Sequence, residues 1–240
     1  MGQISGNSQT PIAPNIPTRP EPPVAPILGL KTVCASGLVT RGIDVSSYQP
    51  TIDFAAVKSE GYAFAFIKAS EGAGHADPHF VRHWANAKAA GVIRGAYHFF
   101  HPGVDPIAQA AFFAKCVGPL GADDMPCVLD WETTDNVPTS TDYANGLACL
   151  KEIERLTGKR PIVYTGPYFV QALRPTAEIV NYPLWLAHYG PKCPLVPWPW
   201  ATWLFWQTSG SMSVKGVVGA CDVDQFNGTI ADLKAFIARS

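Results

Sequence analysis

The carboxylates best spaced for acid–base chemistry in this 240-residue chain are Asp130 and Glu132, two residues apart in CVLDWE. On a strand they project to one face, and Trp131 between them projects to the other. Their β-carbons are then about 7 Å apart, close enough for the side chains to reach the separations used in glycosidic cleavage, by inversion or by retention. Two acids on one concave apolar face repel, and burial penalises both charges, so one of them is expected to hold a proton near neutrality. Glu132, longer and nearer the strand end, is expected to protonate a leaving oxygen. Asp130 is expected to stay ionised and to stabilise positive charge at a sugar carbon, directly or by orienting an acetamido group.

An isolated DxE is common by chance, so its weight comes from its company. Asp44 ends an apolar run in RGIDVSSYQ, and Asp222 opens another in CDVDQFNG, two residues before Asp224. Tyr97, Tyr164, Trp185, Tyr189 and Trp206 stand at or just after the ends of similar runs, with Gln207 beside the last. Flat rings cover the apolar faces of sugars while their polar tips hydrogen-bond. Aromatic strand residues are more often core, so about half of these five are expected to touch a ligand. His98 and His101, three apart in YHFFHP, are a weak metal signal because on a strand they would face opposite sides.

From Arg41 onward short apolar runs alternate with amphipathic stretches, the pattern of a parallel sheet with crossover helices. Strands are expected at Gly42 to Val45, Tyr62 to Lys68, Val92 to Phe99, Cys127 to Glu132, Pro161 to Tyr164, Leu184 to His188, Leu204 to Gln207 and Val223 to Phe226. Such a set can close on itself. Helices are expected from Asp105 to Gly118 (Ile107, Ala110, Phe113, Ala114 and Val117 inward), up to Gly158 (Tyr143, Leu147, Leu150, Ile153 and Leu156 inward), and up to Gly91 (Phe80, Trp84 and Ala87 inward). After Tyr189 there is too much Pro and Gly for full crossover helices. The fold class read from this is α/β, an irregular eight-stranded barrel of TIM type with a reduced helix complement in its C-terminal half. The acids would then lie where strand ends open to solvent.

Composition, 47% hydrophobic and 15% charged with 21 Gly and 22 Pro, fits one globular domain with many turns. A net charge of −1 gives no field to hold nucleic acid, and no apolar run approaches the roughly 20 residues of a membrane span. Residues 1–40 read as a proline-rich arm and 41–240 as the catalytic domain. The first 28 residues lack the basic start and continuous apolar stretch of a secretory signal, which fits a phage lysin released through a separate pore or a specialised export route. The cysteines, Cys34, Cys116, Cys127, Cys149, Cys193 and Cys221, allow up to three disulfides, but buried thiols with a single bridge are at least as well supported. Their spacing matches no zinc site, and no cofactor is called for.

Over roughly Arg41 to Ser240 the chain resembles the family 25 glycoside hydrolases, the Chalaropsis-type lysozymes, through RGIDVSSYQ, FAFIKASEG, GAYHFF, VLDWE, PIVYTGPYF, LWLAHY, LFWQTSG and DVDQFNG, in that order. The resemblance implies hydrolysis of the β-1,4 bond between N-acetylmuramic acid and N-acetylglucosamine on an irregular β/α barrel. It also implies a monomer acting on peptidoglycan outside the cytoplasmic membrane. It places Asp44 and Asp222 as the first- and last-strand acids, Asp130 and Glu132 as the central pair with the glutamate as proton donor, and Asp224 in support. Trp131 stands where relatives more often carry a smaller aliphatic residue. Two other readings compete: a glycan-binding module without turnover, and a hydrolase of another polysaccharide such as chitin.

Overall fold

The computed structural model describes residues 29–240. Its elements in chain order are β1 (Leu30–Thr32), β2 (Thr40–Val45), α1 (Phe54–Ser59), β3 (Tyr62–Glu71), β4 (His75–Ala76), α2 (Phe80–Ala89), β5 (Ile93–Phe99), α3 (Pro106–Val117), β6 (Val128–Asp130), α4 (Thr139–Thr157), β7 (Ile162–Thr165), α5 (Pro167–Ala172), a 3₁₀ turn (Ala177–Asn181), β8 (Leu184–Ala187), β9 (Leu195–Pro197), β10 (Phe205–Met212), β11 (Cys221–Phe226) and α6 (Ile230–Arg239). Eight strands close a barrel in the order β2, β3, β5, β6, β7, β8, β10, β11 and back to β2. The expected irregular barrel is therefore the fold.

Pairing is parallel from β2 round to β10, but β11 runs antiparallel to both its neighbours. The Gly-rich segment between β10 and β11 is too short for a crossover helix, and only an antiparallel return can use so short a link. This reversal matters for the site. It puts the start of β11, with Asp222, at the rim where the parallel strands end, and Asp222 lies opposite Asp44 in the ladder.

Inside the barrel, Phe64, Phe66, Trp185, Phe205 and Phe226 pack as stacked and edge-to-face rings. Two glycines make room for them. A β-carbon at Gly42 would overlap the Phe64 ring, and one at Gly95 would press on Phe66. The alternate residues Ile43, Val45, Ala65, Ile67, Leu129 and Val163 face outward into the layer beneath the helices. There α3 begins as its sequence requires, with Asp105 accepting hydrogen bonds from the Ile107 and Ala108 amides and Pro106 in the first turn. α4 ends at Gly158 in the left-handed region, φ 72°. Ile107 and Leu156, expected to face the core, are largely exposed because both lie in terminal turns at the margin of the covered face.

Trp131 points away from the barrel axis, as its parity requires. It is fully buried against Tyr143 and Phe100, and its indole N–H donates to Asp142 Oδ1 at 2.8 Å. The six-membered ring occupies the space where a side chain at Gly146 of α4 would stand. Gly146→Ala therefore overpacks a rigid ring, and is expected to cost about 1–3 kcal/mol and lower Tm by roughly 2–12 °C. Thermal unfolding checks this; an unchanged Tm would mean that the indole and helix can part freely.

Ahead of β2, residues 29–39 of the segment read as an arm are joined to the C-terminal half of the barrel domain. β1 pairs with β9, Cys34 is bridged to Cys193, and the Trp203 indole donates to the Val33 carbonyl at 2.8 Å. The prolines of the N-terminal segment stop at Pro26, so from there backbone donors are free to join a sheet. Residues 1–28, the proline-rich arm proper, lie outside the described residues. Cys116, Cys127, Cys149 and Cys221 are free thiols, so one bridge forms among the described cysteines.

Candidate active site

A pocket of about 450 Å³ opens at the rim where the parallel strands end. Asp130 is the last residue of β6 and only 6% exposed. The Trp131 amide still donates to the Tyr164 carbonyl at 2.9 Å, which carries the extended alternation one residue past the strand. Glu132 therefore faces the same pocket as Asp130, but from its exposed lip.

The opposite wall comes from β2, β10 and β11. Asp44 Oδ2 accepts from Gln207 Nε2 at 2.6 Å, while Gln207 Oε1 accepts from the hydroxyls of Tyr164 at 2.8 Å and Tyr189 at 2.6 Å. One amide thus fixes an acid and two phenols. Below them the Trp185 indole donates to Asp224 Oδ1 at 2.8 Å.

Every one of these acids is held above the ordinary carboxylate range. For Asp130 the cause is first burial and then the charge of Glu132, with the Lys68 ammonium opposing. Glu132 is raised by burial, opposed by Lys68 and assisted by Asp222. Asp44 is raised by burial and by the charges of Asp224 and Asp222, against the Gln207 hydrogen bond. Asp222 and Asp224 are likewise raised, chiefly by burial. The sequence expectation gave the raised pKa to Glu132 and left Asp130 ionised, whereas here both are raised and Asp130 more strongly. The ladder ends at Asp130, inside the barrel mouth, so the shorter acid is the more buried and the more strongly raised.

Asp44, Asp130, Glu132 and Asp222 line the pocket together with Tyr97, Tyr164, Trp185, Tyr189 and Gln207. Asp224 lies beneath it, buried, holding Trp185. Trp206 is not at the site: its ring packs on Trp203 outside the barrel, and its N–H donates to the His188 carbonyl at 2.8 Å. Neighbouring residues on a strand cannot both face inward, and the inward place belongs to Gln207.

Sequence reasoning missed Lys68, Glu71, Phe99, Ser46 and Tyr48, which also line the pocket. Lys68 carried a readable signal. It shares inward parity with Phe64 and Phe66, and a lysine on that face of an apolar strand must find an anion. It finds Glu71, at 2.7 Å. His98 and His101 go separate ways: His98 is buried between Ser70 and Gln109 and held down at a pKa of about 4, while His101 contacts Glu71 and Asp135. Among the described residues no cluster of three or more His, Cys, Asp and Glu is arranged for a metal ion, and no helix is long and apolar enough to cross a membrane.

A closed α/β barrel whose mouth pairs two carboxylates beneath tyrosine and tryptophan side chains is the form of a barrel glycoside hydrolase. Residues 43–217 match the model of glycosyl hydrolases family 25. Lysozyme M1 of Streptomyces globisporus is 36% identical over 208 residues, spanning 81% of this chain and 70% of that protein. The crystal structure of a bacterial lysozyme from Streptomyces coelicolor superposes with a TM-score of 0.80 at 34% identity, covering 83% of this chain and 97% of that one. An uncharacterized Escherichia coli K12 protein, YegX, is 38% identical over 202 residues, 82% of this chain and 73% of its own length. The chain belongs to glycosyl hydrolase family 25, and it is a glycoside hydrolase.

Proposed function

We propose that this chain is a peptidoglycan hydrolase acting on the cell wall. In this reading it cuts the β-1,4 bond between N-acetylmuramic acid and N-acetylglucosamine, with Glu132 as general acid and Asp130 as the charge-stabilising, acetamido-orienting carboxylate. The observation that carries this reading is Asp130 Oδ1, a buried oxygen on the pocket wall beside Glu132 with no hydrogen-bond partner in the protein. A buried carboxylate oxygen is costly to leave unmatched. The amide N–H of an N-acetyl sugar matches it.

In this reading the same contact also directs the proton. Without that contact, burial and the charge of Glu132 favour a proton on Asp130, the deeper acid. An acetamido N–H donated to Asp130 stabilises its anion and shifts the proton to Glu132, at the lip where a glycosidic oxygen would lie. Asp130 then faces the developing positive charge, and Tyr97, Tyr164, Trp185 and Tyr189 offer rings and hydroxyls to the sugars. Asp44 stands opposite Asp222 in the ladder, and its Oδ2 accepts from Gln207 and keeps that amide oriented.

Mass spectrometry of the reduced products released from purified peptidoglycan tests this. Reducing N-acetylmuramic acid ends are expected. New N-acetylglucosamine ends would reassign the bond, ends released from chitin alone would reassign the substrate, and binding without new ends would leave a glycan-binding module.

A further inference from the structure

His101 lies two residues beyond β5, in a loop that crosses between the ends of β3 and β6. Its Nε2 is 3.1 Å from Glu71 Oε1, and its Nδ1 is 3.0 and 3.1 Å from the two oxygens of Asp135. Glu71 closes β3 and lines the pocket, and its other oxygen holds the Lys68 ammonium at 2.7 Å. Asp135 lies three residues beyond Glu132 on the same loop, in the left-handed region at φ 46°, and also accepts from the Gly103 amide at 3.2 Å. One imidazole thus joins the end of β3 to the loops that follow β5 and β6.

The two partners are carboxylates, which only accept. A neutral imidazole donates from one nitrogen and presents a lone pair from the other, so both contacts are hydrogen bonds only when the ring carries two protons. The ring cannot readily turn away. The Gln109 side chain holds the His101 backbone at both ends, N–H to Oε1 at 2.9 Å and Nε2 to the carbonyl at 2.8 Å, and Phe99 packs against the ring. The charged and titratable groups around it are Glu71, Asp135, Lys68 and the neutral His98. Burial works against the imidazolium, but the hydrogen bonds to Asp135 and Glu71 outweigh it and raise the His101 pKa, and both carboxyls are lowered in return.

We propose that His101 is a positioning residue, an imidazolium clasp that ties the Glu132 loop to the end of β3 and keeps the Lys68–Glu71 pair against the pocket. Glu132 needs such a tie because β6 ends two residues before it, so the barrel ladder does not fix its backbone. When the ring loses its second proton, one contact becomes repulsive and the loop is released. Turnover then falls on the alkaline side. The catalytic part of this inference rests on the assignment of Glu132 as acid.

The test compares pH profiles of kcat and KM on soluble peptidoglycan fragments for the unsubstituted protein, His101→Gln and His101→Arg, with an NMR titration of the His101 ring. Glutamine cannot donate to both sides, so H101Q is expected to lose on the order of tenfold or more in kcat with little change in KM. Arginine stays charged and donates from several N–H groups, so H101R is expected to recover most of kcat, with its alkaline fall set by Glu132 alone. In the unsubstituted protein the ring should titrate above the usual value of about 6.5. Full kcat in H101Q, or an H101R variant no faster than H101Q, would overturn the positioning role. A ring titrating at or below the usual value would overturn the clasp even if a variant failed to fold. If the unsubstituted protein releases no muramic ends, the proposed function fails instead, and the titration still decides the clasp.

Discussion

Glu132→Gln is expected to lower kcat on peptidoglycan by about 10³-fold, in the range for loss of a positioned general acid, and to leave the circular dichroism spectrum and Tm essentially unchanged. Glutamine keeps the shape and polarity of the side chain at the exposed lip of the pocket and removes only the transferable proton. The pH dependence gives the sign. Glu132 must be protonated to act, and its pKa is raised, so activity persists toward neutrality and falls as pH rises through that value. E132Q has no such group, and its residual rate should lose that limb, keeping only the fall that follows loss of the second His101 proton. A variant with full kcat would remove Glu132 from the acid role. A variant with a much lower Tm would instead point to a structural part for the side chain. Kinetics and thermal unfolding on one preparation separate these outcomes.

Much of this site could be read from the sequence because it depends on strand parity. Alternation alone puts Asp130 and Glu132 on one face and Trp131 on the other, and both hold in the barrel. The same rule, applied consistently, would have excluded Trp206 once Gln207 was chosen and would have included Lys68 alongside Phe66. Depth was less legible. The strand was expected to continue through Glu132, but the ladder stops at Asp130, and a difference of two residues decides which acid is buried. Strand direction was also hidden. Strand-end logic selects Asp44 and Asp130 directly, whereas Asp222, at a strand start, reaches the rim only because β11 runs backwards. The contacts of Leu30–Thr32 and Cys34 with a partner segment more than 150 residues away depend on long-range pairing that local patterns do not encode. The His101 clasp is of the same kind, since Glu71 comes from the end of β3 and His101 and Asp135 from two separate loops.

Asp130→Asn is expected to separate function from stability in opposite directions. Turnover should fall on the order of 10²–10³-fold, because the amide cannot supply negative charge to a developing cation. Stability should rise. Asp130 has a folded-state pKa well above that of the unfolded chain, so the folded form binds its proton more tightly, and this contribution is intact below the ordinary carboxylate range. It is lost as pH rises through the folded value, where the buried side chain must ionise beside Glu132. Asparagine never ionises. The Tm of D130N should therefore differ little from that of the unsubstituted protein near pH 4, and should exceed it by a growing margin toward neutral pH. Lower turnover with a pH-dependent gain in Tm is what a charge kept for chemistry at a cost in stability produces. Lower turnover with a pH-independent loss of Tm would mean instead that Asp130 mainly holds the barrel mouth together, and the role of charge stabiliser would pass to Asp44 or Asp222.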